Sequence, residues 1–184
     1  MKKPYIIGIA GGSASGKSTF TRVLAEALSG LKVHTVHMDD YFKHSRPYTA
    51  SHVSGVSYTD NNHPLSFDLP KMTDDLKTAI EKRDHDVIIV EGLLTLWSDN
   101  IFPMLDLKLF IDCRADERIV RRLKRNVEWG ETFDEMVNVY LDMVRFRHDQ
   151  YVEPSKWRAD IILNGSIRSA AAVKMIAGYV KFTP

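Results

Sequence analysis

The sequence has a single cysteine, Cys113, in 184 residues. No intramolecular disulfide and no cysteine-built metal site can be drawn, so stability has to come from a packed core. That scarcity suits a reducing compartment, and the expected location is cytoplasmic. The chain also lacks an excess of either charge, with 25 Lys and Arg against 24 Asp and Glu and a formal net charge of +1. It therefore has no overall field to hold nucleic acid or an anionic membrane, and neither is expected as a partner; an anionic ligand must be met by a local cluster. Long apolar runs are missing as well: the longest candidates, residues 5–12 and 87–90, fall far below the ~20 residues of a membrane span. Lys2 and Lys3 ahead of an apolar stretch imitate a signal peptide, but the glycine pattern that follows accounts better for the same residues. With no repeat, low-complexity block or Gly/Ser linker, residues 1–184 are read as one domain, long enough to bury ~70% of the surface of the unfolded chain.

What the chain does have is alternation. Short β-branched runs at 6–10, 33–38, 87–90, 107–111 and 161–163 are separated by stretches of helical spacing. Five strands joined by crossover helices predict an α/β fold with a parallel sheet. Phe20, Val23, Leu24, Ala27 and Leu28 share one helical face that Gly30 terminates. Asp68 is positioned to cap a helix with Pro70 in its first turn and Leu69, Met72, Leu76, Ala79 and Ile80 as apolar positions. Thr132 and Glu135 have capping-box spacing ahead of Met136, Val137, Tyr140, Leu141 and Val144. Residues 43–67 have no period, and a loop of that length in a compact domain is usually functional or disordered.

Gly11-Gly12-Ser13-Ala14-Ser15-Gly16-Lys17-Ser18, with Thr19 next, fits G-x-x-x-x-G-K-[ST] between a strand and an amphipathic helix. Small residues let backbone N–H groups curl around a β-phosphate, Lys17 can reach the β and γ phosphates, and the Ser18 hydroxyl can ligate Mg²⁺. The loop names a nucleotide and not a reaction. The D-x-x-G and N-K-x-D motifs of a GTPase are absent. Instead, the third strand runs into Glu91-Gly92, which places a carboxylate at the edge of the sheet where α/β ligands bind, able to hold Mg²⁺ directly or through water. The second strand runs into Asp39-Asp40-Tyr41-Phe42-Lys43 at the same edge, where a carboxylate beside the γ-phosphate could accept the proton of an attacking hydroxyl. At 100° per residue, Arg118, Arg121, Arg122 and Arg125 fall on one arc opposite Ile119, Val120 and Leu123, a face able to close over phosphates. The plainer alternative is a solvated basic face steadied by Glu117 and Arg121 at i, i+4.

Together with His63-Pro64, Phe67-Asp68, Arg121-Arg122-Leu123-Lys124-Arg125, Glu153-Pro154-Ser155-Lys156 and Ala159-Asp160-Ile161-Ile162, these motifs resemble the uridine kinase family, within the wider group of phosphoribulokinase and nicotinamide riboside kinase. The resemblance covers nearly the whole chain. It implies a P-loop NTPase kinase fold with a five-stranded parallel sheet flanked by helices, Asp39 as catalytic base, and Mg²⁺ bounded by Ser18, Asp39 and Glu91. It also implies a helical lid over about 118–131 carrying Arg122 and Arg125 at the family's positions. The reaction so implied is transfer of the γ-phosphate of ATP to a hydroxyl of a small molecule, in the first place a nucleoside.

Acceptor recognition departs from that pattern. The family's substrate hairpin, between the helix after His63-Pro64 and the Glu91-Gly92 strand, has no room in Glu81-Lys82-Arg83-Asp84-His85-Asp86. The ribose-binding Asp is replaced by Asn62, with Asp60 near enough to substitute. The lid segment Asn126-Val127-Glu128-Trp129-Gly130 lacks the Arg before its glycine, and Val139 stands where a base-reading Gln belongs. Acceptor contacts are expected from Asp40, Tyr41, Phe42, Asn62 and His63, with Tyr48 and Tyr58 also in the acceptor loop, about 43–67. Nicotinamide riboside or another non-pyrimidine alcohol stays open as substrate, as does an ATP-binding regulatory protein without an acceptor. The sequence leaves the choice of ATP over GTP and a homo-oligomer open.

Overall fold

The computed structural model describes residues 2–128, 130 and 132–182. Its main sheet has strands β1 (Tyr5–Gly11), β2 (Val33–His37), β5 (Val87–Glu91), β6 (Leu107–Asp112) and β7 (Ile161–Asn164), ordered β2-β5-β1-β6-β7 and parallel throughout. All five lie where the β-branched runs predict them. The runs are continuous rather than alternating because helices cover both faces, as in other parallel sheets; every residue of β5 is buried. Successive side chains still divide between the faces. Ile6, Ile88 and Val90 pack with Met72 and Leu76 of α2 (Leu69–Lys82). Ile7, Ile9 and Ile89 pack with Leu24 and Leu28 at α1 (Lys17–Ala27) and with Ile176 of a C-terminal helix, Ala170–Phe182.

Helix starts follow local chemistry. The Asp68 side chain accepts the Lys71 N–H at 3.1 Å, and Thr132 and Glu135 form the expected capping box at the start of α4 (Phe133–Val139). Between them, α3 (Ala115–Glu128) rises from the end of β6 as the base of the expected lid; the lid positions Trp129 and Glu131 lie outside the described residues. Among the described residues no helix is long and apolar enough to cross a membrane.

Two features depart from the sequence reading. The stretch beyond α4 is not one regular helix. It widens into π turns at Tyr140–Val144 and His148–Val152 on either side of α5 (Arg145–Arg147), then tightens into a 3₁₀ segment, Glu153–Arg158. Each wide turn shifts the buried face out of the 3.6-residue period, so Leu141 is exposed while Asp142 and Met143 are buried. The 43–67 loop, in turn, contains an antiparallel hairpin of β3 (Tyr48–Ala50) and β4 (Ser57–Thr59). Three-residue strands are too short to announce themselves by alternation.

That hairpin is anchored to the wide-turn helix. Tyr58 Oη donates to Asp142 Oδ2 at 2.9 Å, and Ser54 Oγ bonds the same oxygen. Asp60 just beyond it, with no exposed surface, accepts the Asn62 N–H at Oδ1 (3.0 Å) and Arg147 Nε at Oδ2 (2.6 Å). With both oxygens engaged inside the protein, Asp60 holds the loop in place here rather than standing open to an acceptor. Removing one member of a buried ion pair strands the other and costs about 3 kcal/mol or more. Asp60→Ala is therefore expected to lower the melting temperature by roughly 6 °C or more for a chain of this size, measured by thermal unfolding. A drop of under a degree would show that the pair does not hold the loop.

Candidate active site

β1 turns sharply at its end because Gly11, Ala14 and Gly16 all have positive φ (148°, 62° and 102°). Ala14 is the informative one, since a residue with a Cβ pays about 1 kcal/mol or more for a left-handed conformation that is usually kept only where function needs it. The turn is closed by Ser15 N–H to Gly12 O at 3.0 Å and runs into α1, whose first residue is Lys17. Backbone N–H groups and the helix N-terminus thus share one concavity, the arrangement that receives phosphate. Lys17 Nζ lies 3.4 Å from Gly12 O. Burial pulls the Lys17 ammonium below its usual range, while Glu91 and Asp39 act in the opposite direction.

The two acids arrive from neighbouring strands. Register pairs His37 at the end of β2 with Glu91 at the end of β5. Gly92 then has no room for a side chain, because a Cβ there would run into Met38. This close approach sets Asp39, in the 3₁₀ turn Met38–Tyr41, at the same sheet edge as Glu91. Glu91 is 5% exposed. Its Oε1 accepts Ser18 Oγ at 3.0 Å and lies 3.1 Å from His37 Nδ1, while Oε2 is buried without a partner. Asp39 is open to solvent at its surface, yet desolvation by the surrounding protein raises its carboxyl above the ordinary range; Lys17 opposes that rise and Glu91 adds to it.

These residues fit a hard divalent cation. The donors are oxygens, and one buried carboxylate oxygen lacks a partner. Among the described residues no group of three or more His, Cys, Asp or Glu side chains could hold a metal, so Ser18, Glu91 and Asp39 could bind Mg²⁺ only with phosphate oxygens and water completing its shell.

The arginine arc divides by task. Arg122 Nη1 donates to Ser13 Oγ in the phosphate loop at 3.0 Å. Arg125 is exposed and its Nε donates to Asn126 Oδ1 at 3.2 Å. Arg118 and Arg121 are not free lid residues. Arg118 is buried and its Nε donates to Cys113 O at 3.0 Å, while Arg121 donates to Gly165 O at 2.9 Å and pairs with Glu117 at 3.1 Å. They fasten the base of α3 to the ends of β6 and β7.

Two of the expected acceptor contacts are otherwise employed. The Tyr41 hydroxyl donates to Asp75 on α2 at 3.1 Å, and Phe42 stacks on Phe67 with ring centroids 4.5 Å apart under the guanidinium of Arg46. Their aromatic character serves packing of the loop. Asp40 is exposed, Asn62 is 8% exposed, and the Nδ1 of His63 accepts the Leu65 N–H at 3.1 Å while its ring meets Tyr151 edge-on at 5.5 Å. Tyr48 is exposed and Tyr58 is held by Asp142. Sequence reasoning passed over His37, Arg147 and His148; only His37 had a signal, the last residue of β2 and two residues before Asp39.

The chain is similar to known kinases along most of its length. The model of the Phosphoribulokinase / Uridine kinase family matches residues 6–82 and 59–170. A uridine kinase of Clostridium botulinum (strain Kyoto / Type A2) is 34% identical over 204 aligned positions, covering 98% of each chain. One from Staphylococcus aureus (strain JH9) is 37% identical, covering 89% of this chain and 88% of the relative. Among solved structures, a provisionally named fructose transport system kinase of Silicibacter sp. TM1040 superposes with a TM-score of 0.66 at 19% identity, covering 88% of this chain and 90% of the other. A provisionally named uridine kinase of Bacillus stearothermophilus gives 0.59 at 20%, covering 89% and 90%; at these identities the two show the P-loop kinase fold alone. A family model spanning most of the chain, with relatives above 30% identity along nearly all of it, establishes that this protein is a kinase of the Phosphoribulokinase / Uridine kinase family.

Proposed function

We propose that the protein transfers the γ-phosphate of ATP to a hydroxyl of a nucleoside-like small molecule. The observation that carries this reading is the meeting of Lys17, Ser18, Asp39 and Glu91 at one sheet edge, with Glu91 Oε2 buried and unpartnered. The loop amides and Lys17 bind the β and γ phosphates, and Asp39 takes the proton of the acceptor hydroxyl as its oxygen bonds to the γ-phosphorus. The bond to the β–γ bridging oxygen breaks and ADP leaves. Arg122, on the loop at Ser13, and Arg125 meet the charge spreading over the transferring group. Mg²⁺ held by Ser18, Glu91 and Asp39 would neutralise charge on the phosphate oxygens.

A second acceptor reading, a non-pyrimidine riboside such as nicotinamide riboside, has its own support. α2 ends at Lys82 and β5 begins at Val87, so only residues 83–86 join them, and the family's substrate hairpin has no place there. The alignment to the Clostridium relative runs over 204 positions against a chain of 184 residues, so it must open gaps in this chain. ADP release with Mg²⁺-ATP across uridine, other nucleosides, nicotinamide riboside, pantothenate and sugar phosphates separates the readings. Slow hydrolysis indifferent to every alcohol would instead favour an ATP-binding regulatory protein.

In the responsive assay, Lys17→Met is expected to abolish transfer, and Asp39→Asn to lower kcat by ~10² to 10⁴ with ADP binding largely kept. An Asp39→Asn enzyme within a few fold of wild type would remove Asp39 as the base. Arg122→Ala and Arg125→Ala are each expected to reduce kcat by ~10² or more, and ATP affinity much less. Equal losses in both quantities would assign these arginines to ground-state binding.

A further inference from the structure

His148 opens the second wide turn and is 8% exposed. One ring nitrogen, Nε2, lies 3.1 Å from Glu153 Oε2. Glu153 is held in turn by Lys156 at 2.5 Å, and Lys156 reaches Asp112 at the end of β6 at 3.4 Å. The Glu153-Pro154-Ser155-Lys156 motif thus acts as a brace that fixes the imidazole from one side. The other nitrogen, Nδ1, is buried with no hydrogen-bond partner. It abuts the phosphate loop: a Cβ added to Gly12 would lie 3.0 Å from both Nδ1 and Cε1, and 2.6 Å from Arg118 Nη1.

The charges around the ring determine its proton count. Burial and Arg118 of α3 hold the imidazole below its usual range, opposed by Glu153 and by Asp149 on its own turn. Burial works against ionisation of Glu153, but its bonds from Lys156 and His148 prevail and leave its carboxyl below the ordinary range. A neutral ring facing a carboxylate carries its one proton on Nε2, so Nδ1 is left as an acceptor. A buried acceptor without a donor is destabilising until one arrives. The backbone beside it borders the phosphate-binding concavity.

We propose that His148 is a positioning residue of the phosphate loop, its Nδ1 receiving a backbone N–H of the Gly12–Ser13 segment when the loop closes on a nucleotide. The same helix carries the contact to the acceptor side: Arg147, the preceding residue, holds Asp60, and Asp142 holds Tyr58 and Ser54 of the hairpin. Adjacent residues of one wide-turn helix therefore touch both the phosphate loop and the loop that follows the hairpin. The inference rests on reading the loop as a nucleotide site.

Mg²⁺-ADP binding to the full chain, measured by calorimetry, is the test. His148→Phe keeps the ring's bulk without its nitrogens and is expected to weaken ADP by roughly two- to tenfold, the worth of one hydrogen bond. His148→Asn places an amide near the position of Nδ1 and is expected to restore affinity to within about twofold of wild type. A Phe variant that binds as wild type, or an Asn variant as weak as Phe, overturns the proposal. Should the Phe variant fail to fold, the wild type decides by nitrogen-15 NMR of its imidazoles: Nδ1 of His148 should resonate as an unprotonated nitrogen and move toward the hydrogen-bonded range on adding ADP, and an unmoved signal overturns the proposal. A wild type that binds no ADP would sink the nucleotide reading and this inference with it, whereas ADP binding that ignores His148 sinks this inference alone.

Discussion

The constraint on which the rest of the architecture turns is the carboxylate of Glu91, carried to the end of a fully buried strand and left with one oxygen unmatched. A charge in that position is tolerated only where cations and hydrogen-bond donors are arranged around it. The donors present are Ser18, at the start of α1, and His37 from the strand next door. Lys17 answers electrostatically, its lowered ammonium pKa partly restored by Glu91. The phosphate loop, the β2–β5 pairing and the absent side chain at Gly92 read as the means by which one buried acid is supplied with partners and with Asp39 as a neighbour.

Most of this frame was legible in the sequence, for identifiable reasons. Strands buried on both faces must be continuously apolar, so the five core runs stood out. The phosphate loop was legible because its function dictates glycines and a lysine at fixed offsets, and Asp68 and Thr132 because caps are chosen by local hydrogen bonding. What escaped depended on partners distant in sequence. Tyr41 and Phe42 looked like ligand contacts, since nothing local reveals Asp75 and Phe67 as their partners. Asp60 looked available because Arg147 lies far along the chain. The wide turns were invisible to any reading that assumes a constant helical period.

Those wide turns also change how the acceptor side is understood. The hairpin of residues 48–59 does not merely occupy the stretch where a structureless loop was expected; it is bonded through Asp142 to a helix that elsewhere packs on the phosphate loop. The 48–59 hairpin is thus built on the same support as the phosphate loop.

The lone cysteine acquires a meaning that its count did not suggest. Cys113 is 7% exposed beneath α3, its carbonyl held by Arg118 and its sulfur 3.9 Å from both Glu117 and Ser166. The thiol is therefore covered by the foot of that helix and by the Gly165–Ser166 turn. Labelling of this one native thiol is expected to report any movement of the helix foot without an added probe.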